Sequence, residues 1–288
     1  MRVRHHPMRR LAHSTLIELE RTAAQLARMA GDYIVSVPAN RLTVGFKPNG
    51  PGTHGNANPV SNVDRDVEAR VRAALSKRFP AHAIIGEENE APARDDAEFV
   101  WVIDPLDGTT NYLNGLPLFS ASIGVLYHHA PIAGAVWCSC THQMRPGVYH
   151  AHEDGDLCFD GHTLERRAPA AWRSLASEPG AAPRYGAFFE TRVLASAALE
   201  CAFVAAGMLQ VAYLERPAIW DVAAGIVLAR ASGCRVVTRR DGAWQPLQAF
   251  SAPNARKRTA TLRAWRQPVL IGERHAIDRE SAVATALA

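Results

Sequence analysis

Trp101-Val102-Ile103-Asp104-Pro105-Leu106-Asp107-Gly108-Thr109-Thr110-Asn111 is the stretch on which the reading of this 288-residue chain turns. Residues 99–103 are an unbroken apolar run, the pattern of a buried strand. The run stops at Asp104, so that carboxylate is expected to emerge at a sheet edge. Pro105 brings no amide hydrogen and turns the chain. Such a turn returns Asp107 to the side of Asp104, and Gly108 permits a close or left-handed backbone. Thr109, Thr110 and Asn111 then have the character of a helix start, whose amides and hydroxyls suit an anion such as phosphate. Taken alone, Asp-Pro-x-Asp-Gly is equally good turn chemistry and fits a solvated acidic turn.

Two further acidic sites decide between these readings. Gly86-Glu87-Glu88 follows a short apolar run at 83–85, and Trp220-Asp221 opens a helical pattern. Carboxylates packed together repel, and they stay ionised together only around a cation. A donor set made of oxygen favours a hard ion, Mg²⁺ before Zn²⁺. This is the layout of a two-metal hydrolase of phosphate esters.

Outward from these motifs, apolar residues recur at helical spacing over 15–36, where Thr15-Leu16-Ile17-Glu18 fits a capping box. Residues 47–59 are rich in Gly, Pro and Asn and read as a mobile loop. Ser61 to Asp64 is a second capping box. It opens a helix with Val67, Val71, Leu75 and Phe79 on its apolar face, closed by Pro80. Residues 120–127 and 132–137 read as a hairpin, and 147–151 as another strand. Further on, 191–206 and 221–232 read as helices and 209–214 and 235–238 as strands. An Asp241-Gly242 turn follows, then an irregular insertion at 245–267, a strand at 268–271 and a helix at 274–287. Strands and helices mix without strict alternation, which argues against a simple doubly wound sheet.

Composition sets the outer limits. The chain is 48% hydrophobic and 21% charged, which excludes a disordered, collagenous or disulfide-scaffold protein. Its formal charge of +4 gives no argument for nucleic acid as a partner. Five cysteines with no C-x-x-C pair point to a reduced, cytoplasmic compartment. No run approaches the ~20 apolar residues of a membrane helix. Residues 1–13 read as a charged leader without the apolar stretch of a secretory signal.

Residues 101–117 (WVIDPLDGTTNYLNGLP) resemble the first signature of the inositol monophosphatase family, and 220–233 (WDVAAGIVLARASG) resemble its second. Gly86-Glu87-Glu88 and Pro59 to Glu68 are similar to the family's remaining motifs, in the expected order. The resemblance implies an α+β fold, a layered α-β-α-β-α sandwich of the inositol monophosphatase and fructose-1,6-bisphosphatase type. Residues 14–160 would form an α+β half with most metal ligands and 161–288 an α/β half, together one catalytic unit. It implies Mg²⁺-dependent hydrolysis of a small polyol phosphate, inositol 1-phosphate first, by metal-activated water attack. Histidinol phosphate, fructose 1,6-bisphosphate and nucleotide 3′-phosphates are the alternative substrates, and a regulatory protein contacting the transcription machinery is a reading from another class.

Carried over residue by residue, Glu87, Asp104 and the Leu106 carbonyl would hold the first of two or three Mg²⁺ ions. Asp104 would bridge to a second, completed by Asp107 and Asp221, and a third would lean on Glu87. Asp64 and Thr109 would orient and deprotonate the water. The Gly108 and Thr109 amides would hold phosphate, and Ala197, Glu215 and Asp221 would face the alcohol. The resemblance also implies a homodimer and inhibition by Li⁺. The sequence departs from the family pattern in several places: Ala195 replaces a usual glycine and Cys234 a common one, the loop between Glu215 and Trp220 is one residue shorter, 163–190 is shortened, 245–267 is unusual, and the loop around Lys47 is longer.

The remaining conspicuous residues read as ordinary structure. Cys138, Cys140 and His142 match no common zinc spacing, His128-His129 falls in a hairpin turn, and Glu153-Asp154-Gly155-Asp156 lacks a calcium-loop pattern. Arg256-Lys257-Arg258 reads as surface, and Trp220 as core beneath Asp221.

Overall fold

The computed structural model describes residues 11–47, 59–89, 94–166, 175–178, 189–250 and 258–278. Most of the Gly-rich loop, Arg256-Lys257, residues 1–10 and the end of the 274–287 helix lie outside them. In chain order the elements are α1 (His13–Ser36), β1 (Val44–Phe46), β2 (Pro59–Ser61), α2 (Asn62–Arg78), β3 (Ala83–Gly86), β4 (Phe99–Asp107), α3 (Thr109–Leu113), β5 (Ser120–Tyr127), β6 (Ala130–Cys138), β7 (Gly147–His152), β8 (Cys158–Phe159) and β9 (His162–Thr163). The second half holds β10 (Leu175–Ser177), β11 (Glu190–Arg192), α4 (Ala197–Ala206), β12 (Val211–Leu214), α5 (Ile219–Ala231), β13 (Arg235–Arg240), β14 (Ala243–Pro246), α6 (Arg258–Arg263) and β15 (Val269–Gly272).

Strands β3 to β9 form one seven-stranded sheet in sequential order, antiparallel except for the parallel pair β3–β4. A six-stranded sheet runs β11-β10-β12-β15-β13-β14. Helices α1 and α2 bury their apolar stripes, including Leu19, Ile34, Val67 and Leu75, on Trp101, Ile123 and Trp137 of the first sheet. Helices α4 and α5 are apolar almost all round, as an element packed on both sides must be. They fill the space between the sheets, with Val102 and Val136 on one side and Ile271 and Val236 on the other. Ala276 and Ile277 cover the outer face of the second sheet against Tyr213 and Leu270. The result is the layered α-β-α-β-α sandwich the resemblance implied.

Some local expectations change. The Thr15–Glu18 capping box does not form: α1 starts at His13, so Thr15 already sits in the first turn, and Ala12 occupies the cap. Residues 191–206 are not one helix. Glu190–Arg192 is an edge strand, and the helix begins at Ala197 after Ala195 takes φ +55°. Residues 245–267 are only partly irregular, since they hold the end of β14 and all of α6.

The main correction concerns Asp104. The strand does not end there. It pairs on with β5 to Asp107, with Asp104 opposite Ser122 and Asp107 opposite Ser120. Three steps on β4 match two on β5, which is a β-bulge. In a regular strand, residues three apart face opposite sides. The extra residue restores Asp107 to the face of Asp104. Pro105 is tolerated because it lies inside the bulge, where the ladder needs no amide from it.

Candidate active site

Asp64 is placed by a helix cap. The Ser61 hydroxyl accepts from the Val63 amide at 3.1 Å, while Asp64 Oδ2 accepts from the Ser61 amide at 2.8 Å and its hydroxyl at 2.6 Å. This is the reciprocal cap that Ser61 and Asp64 led us to expect. It pins the carboxylate so that Oδ1 accepts from Thr109 Oγ1 at 2.9 Å. The same hydroxyl lies 2.9 Å from the Leu106 carbonyl oxygen. A hydroxyl has one proton and two lone pairs, so Thr109 can donate to one of these acceptors and still accept from a third group.

Asp107 and Asp221 are also tied to helix starts. Asp107 Oδ2 accepts from the Ser196 hydroxyl and the Ala198 amide, both at 2.7 Å, at the first turn of α4. Asp221 Oδ2 accepts from the Ala218 amide at 2.7 Å, at the first turn of α5. Asp104 is buried and accepts from the Leu106 amide at 3.1 Å across the bulge. Gly108 follows with φ +86°, and a Cβ there would lie 3.0 Å from the Leu118 carbonyl oxygen.

Glu87 leaves the end of β3 on a loop braced from two sides. Beneath it, the buried Glu68 carboxylate accepts from the amides of Glu88 at 2.7 Å and Asn89 at 3.1 Å, and from Arg72 Nε at 2.6 Å. A Cβ on Gly86 would fall 2.4 Å from that carboxylate, so only glycine fits. Above it, Arg263 donates to the carbonyls of Gly86, Glu87 (3.1 Å) and Asn89 (3.2 Å). Lys47 places its ammonium 2.6 Å from both Glu87 Oε1 and Glu88 Oε1.

Glu87, Asp104, Asp107 and Asp221 thus line a single cleft of about 250 Å³, with Gly108 and Thr109 on its wall. A second cavity of about 450 Å³ adjoins it, sharing Asp107 and Ala195. Ala197, Glu200, Glu215 and Arg216 line that one. Every site residue singled out from the sequence therefore lies on one of the two cavities, except Asp64, which reaches the first through Thr109.

The electrostatics follow from burial. Desolvation, then repulsion by Glu87 and Asp107, raises the Asp104 carboxyl well above its ordinary range. Asp221 rises for the same reasons, with Asp107 the leading repulsion. Burial pushes Asp107 up to about 6 against the Ser196 hydroxyl and Ala198 amide, and Glu88 up to about 7 against Lys47. Burial opposes the Lys47 ammonium, but Glu87 and Glu88 outweigh it and raise its pKa. The cleft is short of positive charge. Its carboxylate and carbonyl oxygens are hard donors, so a divalent ion such as Mg²⁺ fits both the deficit and the donor chemistry.

A second gathering of ligand-type side chains behaves differently. Ligand atoms of Glu20, His150 and Cys158 lie within 4.8 Å of one another. The Gly161 amide donates to His150 Nε2 at 3.2 Å, which makes that nitrogen an acceptor and leaves the ring proton on Nδ1. Nδ1 gives it to Glu20 Oε1 at 2.5 Å, and His152 Nδ1 meets the other oxygen. Both carboxylate oxygens of Glu20 are thus answered from within the chain.

The inositol monophosphatase family model matches residues 16–269. The chain belongs to the inositol monophosphatase family. It is accordingly a phosphatase, a hydrolase of phosphate esters. It is 31% identical to the inositol-1-monophosphatase of Rhizobium meliloti, over 68% of this chain and 78% of that one. It is 29% identical to the Nus factor SuhB of Haemophilus influenzae, over 73% of this chain and 81% of that one. Its fold matches a solved IMPase/NADP phosphatase complexed with NADP and Ca²⁺ with a TM-score of 0.72 at 18% identity, covering 94% of this chain and 97% of the other.

Ser196, Glu68 and Arg263 were not legible as site residues. Ser196 and Glu68 act through other residues. Arg263 lies in a stretch whose sequence carries no periodicity or motif. Among the described residues, no helix is long and apolar enough to cross a membrane.

Proposed function

We propose that this protein is a Mg²⁺-dependent phosphomonoesterase of small polyol phosphates, with myo-inositol 1-phosphate as the leading case. The observation that carries this reading is the convergence of four acids, Glu87 after β3, Asp104 and Asp107 on β4 and Asp221 on α5, on one cleft, beside the Asp64–Thr109 hydrogen bond of 2.9 Å. Glu87, Asp104 and the Leu106 carbonyl would hold one ion, Asp104, Asp107 and Asp221 a second, and Glu87 would support a third. Bound there, Mg²⁺ supplies acidity to a water and countercharge to the leaving oxygen.

The chain's own groups do the rest. Thr109 Oγ1 accepts the proton of the incoming water and passes its own to Asp64. The Gly108 and Thr109 amides orient the phosphate, and Ala197 and Glu215 face the alcohol from the second cavity. Residues 14–160 supply most of the acids and 161–288 supply Asp221, so both halves serve one catalytic unit. A cytoplasmic homodimer inhibited by Li⁺ completes the reading, on the strength of the family likeness.

Phosphate release from a panel of phosphorylated inositols, sugars, histidinol and nucleotides, with and without Mg²⁺, tests it. We expect release only with the ion, and fastest from a polyol ester. Release that is indifferent to Mg²⁺ would overturn it. A second reading of the substrate rests on Arg216, a cation that lines the second cavity together with Glu215. It favours esters whose alcohol carries charge, such as fructose 1,6-bisphosphate or a nucleotide 3′-phosphate.

A further inference from the structure

The acidic cleft has a basic rim that this chemistry leaves unused. Arg263 and Arg266 both lie over the indole of Trp220, their guanidinium carbons 5.2 and 5.0 Å from the ring centroid. Trp220 directly precedes Asp221, which lines the cleft, so the stack adjoins the cleft wall. The two arginines are used differently. Arg263 commits its fork to the carbonyls of the Glu87 loop. Among the described residues, Arg266 is anchored through Nη1, on the carbonyls of Arg263 at 3.0 Å and Trp265 at 2.6 Å, and the residue is exposed.

Arg266 is close enough to the cleft for Asp221 and Glu87 to act on its charge, and close enough to Arg216 to be repelled by it. Arg216 is exposed on the wall of the 450 Å³ cavity, on the side where the alcohol of an ester would lie. With the cleft acids countered by divalent ions, their pull on Arg266 would weaken and its repulsion by Arg216 would remain. An anion between them removes it, and a planar guanidinium fork matches the oxygens of phosphate or carboxylate.

We propose that Arg216 and Arg266 form an anion subsite beside the cleft, which takes a second negatively charged group, phosphate or carboxylate, on the alcohol side of a phosphomonoester. This rests on the phosphatase reading above and narrows its substrate class.

The test compares matched esters on the full chain with Mg²⁺: fructose 1,6-bisphosphate against fructose 1-phosphate for a second phosphate, and 3-phosphoglycerate against glycerol 3-phosphate for a carboxylate. The wild type should favour the doubly anionic member of at least one pair in kcat/KM, and the pair that responds identifies the group. Arg216→Gln/Arg266→Gln should cut that preference about 10-fold or more, mainly through KM, and Arg266→Lys should restore part of it. Both side chains are exposed, and circular dichroism checks that the variants fold. A wild type without preference in either pair, or a preference untouched by the double substitution, overturns the subsite and leaves the phosphatase reading standing. No phosphate release from any ester removes both.

Discussion

Glu20 on α1 and Asp104 on β4 are both buried carboxylates packed against the seven-stranded sheet, 7% and 1% exposed. Burial raises the pKa of either. Around Glu20, hydrogen bonds from His150 and His152 more than offset that, and its carboxyl falls below the ordinary value. Around Asp104, the neighbours are Glu87, Asp107 and Asp221, and the carboxyl climbs. Chain folding has therefore answered one buried acid from within and left the other to be answered from outside. An unbalanced cluster of this kind marks a site, whereas a balanced one marks scaffold.

The largest effect expected from this contrast is on Asp104→Asn. Phosphate release should fall about 1000-fold or more, because a charge that holds the ions is gone. The same substitution should raise the melting temperature of the metal-free protein, since it relieves repulsion. Loss of stability with activity per folded molecule retained would put Asp104 in the same class as Glu20. Next, Glu20→Ala should destabilise by about 3 kcal/mol in urea unfolding, as the buried His152 and the half-buried His150 lose their acceptor. Activity per folded molecule should persist; a collapse of activity would show that the cluster is not merely scaffold.

Glu200 sharpens the contrast through pH. Burial lifts its carboxyl from 4.5 to about 7, beside Asp107 and with Ser177 only partly opposing. A raised carboxyl favours the protonated folded state. Its stabilising contribution is full below the unfolded value near 4.5 and is lost as pH rises through about 7. The wild type should thus lose about 3 kcal/mol relative to Glu200→Gln between those limits. Parallel stability curves for the two proteins would contradict the shift. The smallest effect is at Ala195, whose φ of +55° belongs to the left-handed region. Ala195→Gly should stabilise by about 0.5 kcal/mol, the relief of strain less the entropy glycine loses, as a small rise in melting temperature.

The N-terminal half was the more readable. The period of α1, the Ser61–Asp64 cap and the apolar run of β4 each announce one element through local chemistry. The bulge was not announced. Pro105 suggests a stop, and only pairing with Ser120 and Ser122 shows that the strand continues. In the site, the acids were legible because their types and spacing are unusual. Their supports were not, since Ser196 meets Asp107 and Arg263 meets Glu87 across 89 and 176 residues of chain. The sequence 191–206 misled because Ala and Leu favour helix, while Ala195 breaks it by conformation rather than by composition.

Two acids of the cleft, and Asp64 behind Thr109, each give one oxygen to a helix start: Asp64 at α2, Asp107 at α4 and Asp221 at α5. Reactivity and architecture are thereby held by the same atoms. A helix cannot fray at its first turn without loosening an acid, so warming should blunt turnover before the core melts. Nor can evolution trade one of these aspartates for an amide without disturbing a cap and the chemistry in one stroke.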